Sequence, residues 1–170
     1  MLVLAAGPVL AGPVLAENAV GENGFTISNS VEVSAEPAAV WALPTKPQEY
    51  WNPDHGYSGD AANFSMTLEP GGCFCERLGP DGFVEHMRVV MVVPNQMLRL
   101  SGALGPLQSE GLAGHLTWTL KPREGGGTII EQSYVAGGHM KFPLDMIAPA
   151  VDGVLGEQLT RLAVRVDAGE

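Results

Sequence analysis

"HLTWTLKPREGGGTIIEQSY", His115–Tyr134, decides the fold. Its first arm alternates Leu116, Trp118 and Leu120 with His115, Thr117, Thr119 and Lys121, the period of two of a half-buried strand. A turn spans Arg123–Gly127, and the second arm sets Ile130, Gln132 and Tyr134 on one face with Glu131 on the other. The glycine run Gly125–Gly127 opens no helix, so it reads as a hairpin turn and not as a phosphate cradle.

Further strands precede this hairpin. "FTISNSVEVSA" (Phe25–Ala35) alternates Phe25, Ile27, Val31 and Val33 with Thr26, Ser28, Ser30 and Glu32. "NFSMTLEPGG", "CFCERLG", "GFVEHMRVVMVV" and "NQMLRLSG" follow, with "GPDG" (Gly79–Gly82) as a natural hairpin turn. Short strands punctuated by turns predict one antiparallel sheet. The last segment differs in period. Met146, Ile147, Ala150, Val151, Val154, Leu155, Leu159, Leu162 and Val166 recur three and four apart, a helical stripe. Pro149, Gly153 and Gly156 weaken the first half of that helix.

Between the first strand and the sheet, Pro37 opens a helix over "AAVWAL" that Pro44 and Pro47 stop early. Glu49–Asp60, "EYWNPDHGYSGD", then reads as loop. The predicted class is α+β: a curved antiparallel sheet wrapped around a long C-terminal helix, with short helices after the first strand. A sheet bending away from its helix leaves a pocket between them.

The chain resembles the SRPBCC/START-like (Bet v 1-like helix-grip) superfamily over about Phe25–Val166, most of all its polyketide-cyclase and AHSA1-like branch. The resemblance is carried by "VEVSAEPAAVWALPTKPQEYW", "HLTWTLKPREGGGTIIEQSY" and "VDGVLGEQLTRL". It departs at Pro44, where such helices continue with an apolar residue. The resemblance implies a cavity for a hydrophobic ligand and names no catalytic residue.

The 170 residues suit a single domain, and the net charge of −10 comes without any basic run. That excludes the electrostatic footprint of a nucleic-acid or anionic-membrane binder. Residues 1–24 are predicted to lie outside the domain of 25–168. Met1–Ala16 is apolar and repeats GPVLA, and Val14 and Ala16 fit the −3 and −1 positions of a signal-peptidase site. The alternatives are export, with cleavage after Ala16 and a secreted or periplasmic protein, or a disordered N-terminal extension on a cytoplasmic one. The segment is too short to span a bilayer.

Cys73 and Cys75 in an ideal strand would have Cα atoms roughly 6.5–7 Å apart, so they are expected as buried free thiols, with a redox pair, which export would favour, as the alternative. The four histidines, His55, His86, His115 and His139, show neither HxH nor HExxH spacing, so no metal is expected. No cofactor motif is present. Strict alternation through "GFVEHMRVVM" sends Phe83, Glu85, Met87, Val89 and Met91 inward and His86 and Arg88 outward.

The candidate ligand-binding residues are Trp51, Tyr57, Phe64, Met66, Glu85, Met87, Trp118, Gln132 and Tyr134, with Met146, Ala150 and Val154 from the helix; Cys73 or Phe74 faces the same space. Trp51 and Tyr57 would close the Glu49–Asp60 loop over the cavity as a lid. Three functions follow. The first is non-enzymatic binding of a lipid-, sterol- or polyketide-like molecule, favoured because no catalytic motif appears. The second is a cyclase-, aromatase- or hydrolase-like enzyme with Glu85 as general base, aided by Tyr134 and His55. Asp54 and His55 form an alternative acid–base pair. The third is an AHSA1-like protein-interaction module. Oligomeric state is not legible in the sequence.

Overall fold

The computed structural model describes residues 12–169. Eight strands form one antiparallel sheet: β1 (Leu15–Val20), β2 (Gly24–Val33), β3 (Phe64–Met66), β4 (Cys73–Leu78), β5 (Gly82–Val93), β6 (Met97–Ser101), β7 (Gly111–Pro122) and β8 (Thr128–His139). Their order across the sheet is β1-β2-β8-β7-β6-β5-β4-β3. A short helix α1 (Pro37–Val40) and three 3-10 turns connect β2 to β3, and the long helix α2 (Leu144–Asp167) closes the chain against β2. This is the helix-grip α+β architecture that the period of the sequence predicts.

The β7–β8 hairpin pairs Leu116 with Tyr134, Trp118 with Gln132 and Leu120 with Ile130, and all six are buried. Gly125, Gly126 and Gly127 turn it with φ of 88°, 103° and 89°, a region closed to residues with a Cβ. On β2 the row Phe25, Ile27, Asn29, Val31 and Val33 is buried as the alternation requires. α2 lays Leu155, Leu159, Leu162, Ala163 and Val166 on this apolar face. Each large side chain buried there contributes about 1.5–3 kcal/mol.

Three expectations are corrected. Residues 15–20, placed outside the domain by the sequence, form the edge strand β1, antiparallel to β2 and fully exposed. Asn18 on it donates to Asp152 of α2 at 2.7 Å. The export reading rests on Met1–Ala16, of which residues 1–11 lie outside the described residues.

The second correction concerns β5. Phe74 pairs with Met87 and Cys75 with Glu85, so His86 is an extra residue that bulges the strand. A second irregularity leaves Val90 unpaired between Val89 and Met91. A bulge shifts the alternation by one residue. Phe83 is therefore 71% exposed, Glu85 turns out to pair with Arg88, and His86 and Met87 are buried in succession.

The third correction is Cys73–Cys75, which form a disulfide with Cα atoms 5.3 Å apart. The irregularity between Phe74 and Cys75 draws the two positions closer than an ideal strand would.

Candidate functional site: a cavity under the first half of α2

The 51–57 segment carries a 3-10 turn at Pro53–His55, opened by Pro53 and capped by the Asn52 side chain, so it extends no strand. Trp51 anchors it. The Trp51 ring packs on Phe74 at 5.1 Å and Phe64 at 6.1 Å, and its indole N–H donates to the His55 carbonyl at 3.4 Å. α2 holds the same segment from the other side. The Asn52 amide N–H donates to Gln158 Oε1 at 2.7 Å, the Asn52 side chain donates to Glu157 at 2.6 Å, and His55 Nε2 lies 2.8 Å from Glu157. The His55 and Asn52 hydrogen bonds keep the Glu157 carboxyl below the usual carboxylate range, against a smaller opposing effect of desolvation.

Beneath this segment lies a cavity of about 400 Å³. Trp51, Asp54, His55, Gly56 and Tyr57 form its roof, Leu104–Leu107 one wall, and Ile147, Ala150, Val151, Val154 and Leu155 of α2 the opposite wall. The volume falls within the roughly 300–1,000 Å³ of small-molecule sites. Tyr134 sets the Leu104–Leu107 wall without reaching the cavity. Its hydroxyl donates to the Gly102 carbonyl at 3.5 Å and accepts the Leu104 N–H at 3.4 Å. Burial pushes the Tyr134 hydroxyl pKa up, against the Leu104 hydrogen bond, so it stays a neutral donor.

One titratable pair is built into the site. Glu76 of β4 is fully buried and its carboxylate accepts the backbone N–H of Tyr57 (2.9 Å) and of Ser58. His86 Nε2 sits 3.0 Å from the same carboxylate, with 4% of its side chain exposed, and the imidazole lines the cavity. Desolvation raises the Glu76 pKa, but the hydrogen bonds from Ser58, Tyr57 and His86 together outweigh it and hold the carboxyl low. Desolvation lowers the His86 pKa, and its hydrogen bond and charge interaction with Glu76 only partly oppose this. The pair is therefore a carboxylate and a neutral imidazole. Gly56 makes the arrangement possible, because a Cβ there would lie 2.8 Å from Glu76 Oε1 and 2.6 Å from the Phe64 ring.

The structure brings Trp51, His55, Tyr57, Ala150 and Val154 to the cavity. It does not bring Phe64, Met66, Met87, Trp118, Gln132 or Tyr134 there, nor Met146, which is 68% exposed. Trp118 is held in the core beside Gln132. With its amide oriented to satisfy both neighbours, Gln132 accepts the Trp118 indole N–H and donates to the Leu155 carbonyl, each at 3.2 Å. Glu85 is on the outer face and Cys73 and Cys75 are bonded to each other. The sequence reading missed His86, Glu76 and the Leu104–Leu107 wall. Two leucines inside the Gly-Pro loop "ALGPL" were a signal for that wall.

Among the described residues no group of three or more His, Cys, Asp or Glu side chains could hold a metal ion, and no helix is long and apolar enough to cross a membrane.

No protein-family model matches the chain, and no curated protein matches it. Solved structures do match in fold. The protein MLL2253 of Mesorhizobium loti superposes with a TM-score of 0.61 at 17% identity, over 85% of this chain and 98% of that one. CalU16 of Micromonospora echinospora gives 0.60 at 16% identity, over 91% and 86%. DynU16, a protein of the dynemicin biosynthetic locus, gives 0.58 at 17% identity, over 85% of this chain and 48% of that one. Likeness at this identity establishes a shared helix-grip fold.

Proposed function

We propose that the protein binds a compact, apolar small molecule in the cavity between the 51–57 segment, the Leu104–Leu107 wall and the first half of α2. The observation that carries this reading is the cavity itself. It is about 400 Å³, walled by leucine, isoleucine, valine and proline, and roofed by Trp51. Apolar walls with a few convergent polar groups are the general form of a small-molecule site. The fold shared with CalU16 and DynU16 supports a ligand of polyketide-like character by analogy. An enzyme with Glu85 as base loses its basis, since that carboxylate pairs with Arg88 at 2.5 Å away from the cavity. Titration with Nile red, a neutral apolar fluorophore, tests the proposal. One saturable site with a blue-shifted emission is expected; emission that never saturates overturns it.

Export belongs to the same proposal. The Cys73–Cys75 disulfide suits an oxidising compartment. Cleavage after Ala16 would leave Glu17–Val20 to pair along β2. Intact-mass analysis of secreted protein is expected to begin at Glu17, and retention of Met1 would remove this claim.

A further inference from the structure

His86 presents its cavity with one hydrogen-bonding atom of defined character. Glu76 behind it receives two backbone N–H groups and is ionised, so its oxygens can only accept. The contact at 3.0 Å therefore requires the proton on His86 Nε2. A buried, neutral imidazole protonated at Nε2 has a bare lone pair on Nδ1. Among the described residues no hydrogen bond reaches that Nδ1, while the ring lines the cavity. The plane of the ring is fixed as well. It lies nearly parallel to Tyr57 at 6.2 Å and to Phe64 at 5.7 Å, with Phe74 at 5.1 Å.

The surroundings of Nδ1 narrow what can meet it. Leu104, Leu107, Val151 and Val154 offer no side-chain donor, and neither lysine nor arginine lines the cavity. The donor-bearing side chains lie on its roof, where the Trp51 indole N–H is taken by the His55 carbonyl and His55 Nε2 by Glu157, leaving the Tyr57 hydroxyl. Nδ1 is not among the buried atoms left without a partner, so it is open to the cavity, and in so apolar a wall a ligand that supplies it a donor is selected over one that does not. A carboxylate ligand is disfavoured, because it carries no donor and would face the lone pair of Nδ1 backed by the Glu76 charge, with Asp54 on the roof.

We propose that the cavity selects a neutral apolar ligand carrying a hydroxyl group, and that this hydroxyl donates to Nδ1 of His86, with Glu76 as the positioning residue that fixes the tautomer. This rests on the cavity-binding reading above and deepens it. The Glu76–His86 pair then acts as a polar anchor: the carboxylate turns the imidazole into an acceptor, and three aromatic rings hold it at one angle.

Displacement of Nile red by three naphthalenes tests this: 2-naphthol, 2-methoxynaphthalene and 2-naphthoate. Wild-type protein is expected to prefer 2-naphthol over the methyl ether by roughly ten-fold, the scale of one buried hydrogen bond, and to bind 2-naphthoate weakest. In His86→Phe the ratio between naphthol and ether is expected to fall to about one, on the same scale. In Glu76→Gln the side-chain N–H₂ can donate to Nε2 and move the ring proton to Nδ1; a hydroxyl and an ether oxygen can both accept from it, so the naphthol preference is expected to fall to about one. The ¹⁵N chemical shifts of His86, which need no ligand, are expected to show an Nε2–H tautomer in the wild type. Equal binding of naphthol and ether by the wild type, or an Nδ1–H or doubly protonated ring, overturns the proposal and leaves the cavity reading standing. Absence of saturable Nile red binding overturns both.

Discussion

The two halves of α2 do different work with similar residues. From Gln158 to Val166 the helix buries Gln158, Leu159, Leu162, Ala163 and Val166 against the sheet, and the space is filled. In the first half Ile147, Val151 and Val154 continue at helical spacing but are only partly covered, because they line the cavity. The same stripe thus holds the fold together at one end and leaves room at the other. Pro149, Gly153 and Gly156 fall on the open half, where a helix that packs less tightly can tolerate them. The loop is held on the boundary between the halves, at Glu157 and Gln158.

Truncations should separate the halves most sharply. Trp118→Ala, in the filled core, is expected to cost about 3–5 kcal/mol, and Leu162→Ala about 2–5 kcal/mol. Val154→Ala on the cavity wall should cost less than about 1 kcal/mol, nearer a surface change. Urea unfolding of the three variants checks this, and a Val154→Ala loss as large as that of Leu162→Ala would break the contrast.

Acid should attack the Glu76–His86 pair. The folded His86 pKa lies below its ordinary 6.5, so as pH falls through 6.5 the unfolded chain gains a proton that the fold refuses, and stability drops. The folded Glu76 pKa lies below 4.5, so its contribution is present above that pH and is lost as pH falls through the folded value. Urea midpoints measured from pH 7 downward should therefore fall in two stages. In Glu76→Gln the stage below pH 4.5 should shrink relative to the wild type, and an unchanged profile would contradict the ionised carboxylate.

The smallest effect is expected at the rim. His55 and Glu157 are both partly exposed, so Glu157→Gln should change stability by about 0.2–1 kcal/mol and lose even that in high salt. A larger loss would move the boundary between the halves toward the cavity.

The sequence made the frame readable because β2, β7 and β8 keep strict alternation and α2 keeps its helical period. Phe25 through Val33 and Leu116 through Leu120 landed on the buried face for that reason. The site was less readable because it sits where the alternation breaks. The bulge at His86 exchanges the faces of Glu85 and His86, and a one-residue insertion into a ladder leaves no mark in the residue pattern itself. Glu76 was passed over for a related reason. Its burial depends on backbone donors from Tyr57 and Ser58, eighteen and more residues away, and no local period reports such a partner. The Trp51–Tyr57 roof was legible because aromatic residues in a Pro- and Gly-rich stretch need somewhere to pack.

The most direct test of a cavity under the first half of α2 is Val154→Trp, read by Nile red titration and thermal unfolding of the same sample. An indole at residue 154 should fill open space, so Nile red binding should disappear while the melting temperature stays near the wild-type value. In a filled core the same change would overpack and cost about 1–3 kcal/mol. Lost stability together with unchanged Nile red binding would contradict the account.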